Sequence, residues 1–194
     1  MKKYYSFILI IGTLLLQSCG NSTNSSSSEI AVDSVVVEPI AEEVANSDSW
    51  KLQYFIDDYG EKTDEGYIIN NCFGEFSNSA TTDSELAVRI IATPEDIRFD
   101  MYEYGSQFMK GEGILQFRAK LPDNSEVNFT TYNSDSGPNS VSSSDVKKVR
   151  ELFEKYSKLR FAAKTTSYST STYRFVYEGN PDEFTKELSK LSSK

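Results

Sequence analysis

Histidine, the side chain behind much enzyme chemistry, is missing altogether from the 194 residues. That excludes Ser-His-Asp and Cys-His nucleophilic catalysis, the usual His-bearing zinc sites and histidine proton shuttles. Carboxylates, hydroxyls and one internal thiol remain. The densest carboxylate group is Asp57, Asp58, Glu61, Asp64 and Glu65, with Gly60 and Gly66 to bend the chain. Calcium takes six to eight hard oxygens, but this spacing does not follow the Asp-x-[Asp/Asn]-x-[Asp/Asn]-Gly loop. A solvated hairpin turn is the simpler reading, and no metal ligand is assigned. Ser144-Asp145-Val146-Lys147 has the Ser-x-x-Lys spacing in which a lysine activates a serine. The Ser-Asp-Asn companion of that chemistry is missing, so Ser144 reads as a helix N-cap. Two carboxylates about 5–10 Å apart would suffice for glycoside hydrolysis, with Asp57, Asp58, Asp100 and Glu103 the first to consider. Cys72 has no histidine to activate it and reads as a buried, inert thiol. No catalytic residue is assigned.

Binding chemistry has better material. Tyr102, Tyr104 and Tyr132 fall on the polar phase of alternating segments, and tyrosine offers a large contact area with a polar tip. These three are the candidate interaction surface, one patch if their strands are neighbours. Ser77-Asn78-Ser79 and the run from Ser134 to Ser144 are hydroxyl and amide clusters, which mostly satisfy their own turns.

The elements that position these residues follow from periodicity. Leu86, Val88 and Ile90 alternate with Ala87, Arg89 and Ile91, and Ile97, Phe99 and Met101 with Arg98, Asp100 and Tyr102. Leu115, Phe117, Ala119 and Leu121 alternate with Gln116, Arg118 and Lys120. Val127, Phe129 and Thr131 do so with Glu126, Asn128 and Thr130, and Tyr173, Phe175 and Tyr177 with Thr172, Arg174 and Val176. Period two with one polar face predicts antiparallel, half-buried strands. Two segments switch to helical spacing. Asp145 to Leu159 aligns Val146, Val149, Phe153, Tyr156 and Leu159, and Pro181 to Leu191 aligns Phe184, Leu188 and Leu191. Gly179-Asn180-Pro181 supplies the second helix with a cap and a proline at its first position. The expected class is α+β: a mostly antiparallel β-sandwich or partly open barrel of about eight strands, with two helices.

The first fifty residues are of another kind. After Lys2 and Lys3, an apolar run from Phe7 to Leu16 is too short to span a hydrocarbon core of about 30 Å as a helix. Leu16-Gln17-Ser18-Cys19 follows it. This resembles the lipobox of bacterial lipoproteins, a family in which a signal peptidase cuts before the cysteine and lipid is attached to it. The resemblance implies a signal peptide over 1–18 and a covalent lipid on Cys19, with no other cofactor. Several acyl chains, at about 0.8 kcal/mol per buried CH2, would make the anchor stable. Gly20 stands where inner-membrane lipoproteins often carry Asp, which implies the outer membrane, periplasmic face. Residues 19–48 begin with a Ser, Asn and Thr run and turn acidic and β-branched, the composition of a flexible tether. The β-rich globular domain is expected over 49–194. Gly74-Glu75-Phe76-Ser77-Asn78-Ser79-Ala80-Thr81, between a Trp-led strand and a Leu-x-Val strand, also resembles a motif of uncharacterised β-rich bacterial secreted domains. That resemblance implies a fold and no activity.

The formal net charge is −9. It argues against nucleic-acid partners, whose phosphates it repels. Together these features predict a membrane-anchored, non-enzymatic interaction domain in the cell envelope, with an envelope protein or glycan as partner. The alternatives are a structural accessory subunit of an envelope or secretion assembly and, third, a carboxylate-only glycan hydrolase.

Overall fold

The computed structural model describes residues 49–109, 113–134, 137–166 and 171–192. Residues 1–48, which contain the expected signal segment, Cys19 and the tether, lie outside the described residues. The described residues form ten strands: β1 (Lys51–Ile56), β2 (Lys62–Ser77), β3 (Ser84–Ala92), β4 (Ile97–Glu103), β5 (Gln107–Phe108), β6 (Gly113–Lys120), β7 (Glu126–Ser134), β8 (Gly137–Val141), β9 (Lys158–Thr165) and β10 (Thr172–Glu178). Helix α1 (Val146–Lys155) lies between β8 and β9, and α2 (Pro181–Ser192) follows β10.

All pairings are antiparallel, as the alternation predicts. The order β2-β10-β9-β6-β7-β8-β4-β3 closes on itself through β2–β3. The expected mostly antiparallel α+β class holds, and the expected sandwich or partly open barrel of about eight strands takes the specific form of a closed eight-stranded barrel. The reason is β2. This 16-residue strand pairs with β3 along Ile68–Phe76 on one edge and with β10 along Phe73–Ser77 on the other. A strand held on both edges leaves no seam. β1 extends the sheet beside the first half of β2, and β5 pairs with the end of β4.

An eight-stranded barrel is just wide enough for its own side chains to fill. Phe99, Phe117, Phe129, Phe161 and Phe175 fill this one, with ring centroids 4.9–6.5 Å apart. Trp50 anchors one end. Its ring meets Phe153 of α1, Phe184 of α2 and Tyr177 of β10, and its indole N–H donates to the Tyr177 hydroxyl at 3.0 Å. Both helices thus pack their apolar stripes over that end.

The second helix forms as its capping signals predict. Asn180 Oδ1 accepts the backbone N–H of Asp182 at 2.9 Å. The first helix is shorter than its period suggests, because Tyr156 is already extended and Leu159 is an inward residue of β9. Nor is Ser144 its cap: Asp145 occupies that position, while the Ser144 hydroxyl bonds Ser142 at 3.0 Å. Among the described residues no helix is long and apolar enough to cross a membrane.

Candidate binding surface

Inward residues of the barrel are consumed by the core, so any site on the wall is built from the opposite phase of each strand. Cross-strand register places Lys120 opposite Arg160, Arg160 opposite Val176, and Val176 opposite Phe73. The same row continues through Ala87 and Tyr102 to Phe108. One belt thus crosses β6, β9, β10, β2, β3, β4 and β5, cationic at one end and apolar along the rest. Phe73 is 42% exposed and Val176 38%, on strands whose other outward residues are mostly polar.

The cationic half of the belt is a groove of about 760 Å³. Phe73, Val176 and Ala162 contribute apolar surface, and Arg118, Lys120, Arg160 and Arg174 the cations. That volume falls within the range of small-molecule sites, roughly 300–1,000 Å³. Glycine matters here at one position. A Cβ on Gly74 would lie 1.9 Å from the Arg174 carbonyl oxygen and 2.6 Å from Phe175 Cα, so only glycine lets β10 run this close to β2.

Two of the four cations are spoken for. Arg174 pairs with Glu75 at 3.6 Å and with Asp83, and Arg118 lies 3.8 Å from Glu126. Among the described residues Lys120 and Arg160 form no ion pair, although Lys120 faces Glu126 across β6 and β7. Lys120 and Arg160 face each other across β6 and β9 in a chain whose net charge is negative. A second depression shares Phe73 and is bounded by Asn71, Ala87, Arg89 and Tyr102. Here the charges are internal. Asp100 lies opposite Arg89 in register, and Arg98 Nε is 3.8 Å from its carboxylate. Burial pushes the Asp100 carboxyl above its usual range, against the pull of Arg98 and Arg89. The Arg89 guanidinium sits 5.7 Å from the Tyr102 ring centroid.

The three candidate tyrosines do not form one patch. Tyr102 belongs to the belt, half-buried, with its ring against Phe108. Tyr104 sits in the β4–β5 turn with positive φ, its ring edge-on to Phe76. Tyr132 is exposed on β7, opposite Ile114 on one side and Ser140 on the other. The register row through Tyr132 and Ser140 meets β4 at Arg98, four residues from Tyr102.

Other sequence candidates resolve into turns and core. Asp57 Oδ1 accepts the backbone N–H groups of Tyr59 and Glu61, both at 2.9 Å, so that carboxylate shapes its own hairpin. Among the described residues no group of three or more His, Cys, Asp or Glu is placed to hold a metal ion. Asp100 points outward from β4, whereas Glu103, three residues on, faces inward and accepts the Tyr173 hydroxyl at 2.9 Å. The two do not face a common space. Asn78 accepts the backbone N–H groups of Ala80 and Thr81, and Ser77 accepts that of Asp83. Within the run from Ser134 to Ser144, residues 135–136 lie outside the described residues. Cys72 is buried inside the barrel, 3.4 Å from Asn70 Oδ1, and burial pushes its thiol far up.

Sequence reasoning did not single out Phe73, Val176, Arg160 or Lys120. The signal was present for two of them: Phe73 and Val176 are large apolar residues on the outward phase, where polar neighbours prevail. No protein-family model matches the chain, and no curated protein or solved structure does.

Proposed function

We propose that this protein is a lipid-anchored, non-enzymatic binding module of the cell envelope, and that it holds its partner on the outer wall of the barrel. The lipobox-like Leu16–Cys19 and the tether composition of 19–48 support the anchor, and Gly20 supports an outer-membrane address on the periplasmic face. One observation carries the binding reading: exposed Phe73 and Val176 lie in one groove with Lys120 and Arg160, which form no ion pair among the described residues. Apolar surface with unneutralised charge beside it is the composition of a recognition site rather than of a solvated wall. The carboxylates considered for hydrolysis are held in different places, Asp57 in its turn and Asp100 and Glu103 on opposite faces of β4.

The test is in-cell cross-linking of the full-length chain, followed by purification from solubilised membranes. Cys19→Ala and Phe73→Ser run in parallel. A component captured by the native chain, lost with Phe73→Ser and reduced with Cys19→Ala, is the expected result. Equal capture by native and Phe73→Ser chains would remove the groove from the reading. A component recovered in fixed stoichiometry would favour the accessory-subunit alternative.

A further inference from the structure

Resting on the binding reading above, we infer that the groove takes a monoanionic amphiphile, a carboxylate joined to an unbranched aliphatic chain. The carboxylate sits between Arg160 and Lys120, and the chain lies across Val176 and Phe73.

Charge selects the head group. Around the groove, the cations Arg118, Lys120, Arg160 and Arg174 face the carboxylates Glu75, Glu126 and Asp83. Four cations against three carboxylates leave one positive charge over, which matches a singly charged anion better than a phosphate monoester of charge about −1.5 to −2. Glu75 and Asp83 both engage Arg174, and Glu126 lies 3.8 Å from Arg118 while facing Lys120 in register. The charge left over is therefore centred on Arg160, with Lys120 in register beside it. A guanidinium receives a carboxylate through two parallel N–H···O bonds, and the ammonium adds a point charge beside it.

Geometry selects the tail. From Arg160 the row passes to Val176 and then to Phe73, two strand spacings or about 10 Å. An extended aliphatic chain covers that span and follows the same row over the wall toward Ala87 and Tyr102. A neutral glycan could stack a sugar face on Phe73 but would leave the cations of the groove without a counter-charge. The groove's volume suits a small molecule, whereas a protein interface of ordinary stability needs about 800 Å² on each partner.

Isothermal titration of the full-length chain carrying Cys19→Ala, which removes the lipidation site, tests this with dodecanoate as the probe. The expected result is one site per chain. Arg160→Ala and Phe73→Ser should each weaken it at least tenfold, and Tyr132→Ser, outside the groove, should leave it unchanged. Dodecan-1-ol lacks the charge and acetate lacks the chain, so both should bind at least tenfold more weakly. Equal or tighter binding of dodecyl phosphate would overturn the monoanion assignment, and equal binding of dodecan-1-ol would overturn the role of the cation pair. No dodecanoate binding overturns the ligand class. If cross-linked capture still depends on Phe73 in that case, the binding reading stands without it; if that dependence is lost too, both fall. Thermal melts of each variant separate lost binding from lost folding.

Discussion

The outer wall of the barrel carries arginines on both sides of β2, in opposite circumstances. Toward β3 and β4, Arg89 and Arg98 flank Asp100, and the charges are neutralised within the wall. Toward β10, β9 and β6, Arg160 and Lys120 form no ion pair among the described residues, although Glu126 faces Lys120 across β6 and β7, and they lie beside exposed Phe73 and Val176. The same side-chain type is structural in the first place and available in the second. What decides is whether the fold supplies the counter-charge. A buried charge without one is costly, so the fold must provide it; a solvated cation beside apolar surface has no such need and can wait for a ligand.

The largest effect is expected at the strand the two walls share. Gly74→Ala would push a methyl group into the Arg174 carbonyl and the Phe175 backbone. Overpacking against backbone costs about 3 kcal/mol. Urea denaturation should show a fall of that order in unfolding free energy, and the groove should lose its shape with it. A variant of native stability would mean that β2 and β10 can separate locally, and that the groove is not fixed by Gly74.

The neutralised wall is sharpened by pH. Burial holds the folded pKa of Asp100 above its unfolded value, the guanidinium groups of Arg98 and Arg89 only partly offsetting it. Between those two pKa values the folded state binds more protons than the unfolded one. The contribution of this group to stability is therefore fully present below about pH 3.9 and is lost as pH rises through the folded pKa. Asp123, whose carboxylate is held low by the Ser125 hydroxyl and backbone N–H, acts in the opposite sense below that pH. Comparing Asp100→Asn with the native chain by thermal melts should thus show little difference near pH 4 and a relative gain for the variant at pH 7. A relative loss at pH 7 would mean that the two guanidinium groups outweigh burial and that Asp100 is a stabilising counter-ion.

How far these walls were legible beforehand depends on the element. Alternation placed Phe99, Phe117 and Phe175 inside and Arg118, Arg174 and Asp100 outside, because one buried face forces the phase of a strand. It could not close the barrel. Closure depends on the long β2, whose Ile68-Ile69-Asn70-Asn71 stretch breaks the alternation while both edges find partners. Leu159 was drawn into the helical stripe because it sits three residues after Tyr156, a spacing compatible with a helix; in the fold the chain extends at Tyr156 and Leu159 turns inward from β9. The groove was illegible for a third reason. Lys120, Arg160, Val176 and Phe73 come from four strands spread over more than a hundred residues, and only register brings them into one row. The tyrosines show the converse: residue type suggested a patch, and register separates Tyr132 from Tyr102.

The smallest expected effect tests the comparison most directly. Replacing Arg160 and Lys120 together by Ala should change the unfolding free energy by less than about 0.5 kcal/mol, the usual range for surface positions without special contacts. The expectation follows from what they lack. Among the described residues neither forms an ion pair, so no buried acid is left behind when they go. Arg160 faces Lys120 and shares the groove with Arg118 and Arg174, so although Glu126 faces Lys120 from β7, removing both cations relieves a small net repulsion in the sheet. That relief should be larger at low salt, where screening is weak, and should shrink as ionic strength approaches 1 M and the Debye length falls to about 3 Å. A stabilisation of the double variant that fades with salt would identify two cations kept in place against the interest of the fold. A loss of more than about 1 kcal/mol would show that the wall needs them. The two sides of β2 would then differ only in which acid neutralises them, and the groove would lose its claim to a ligand.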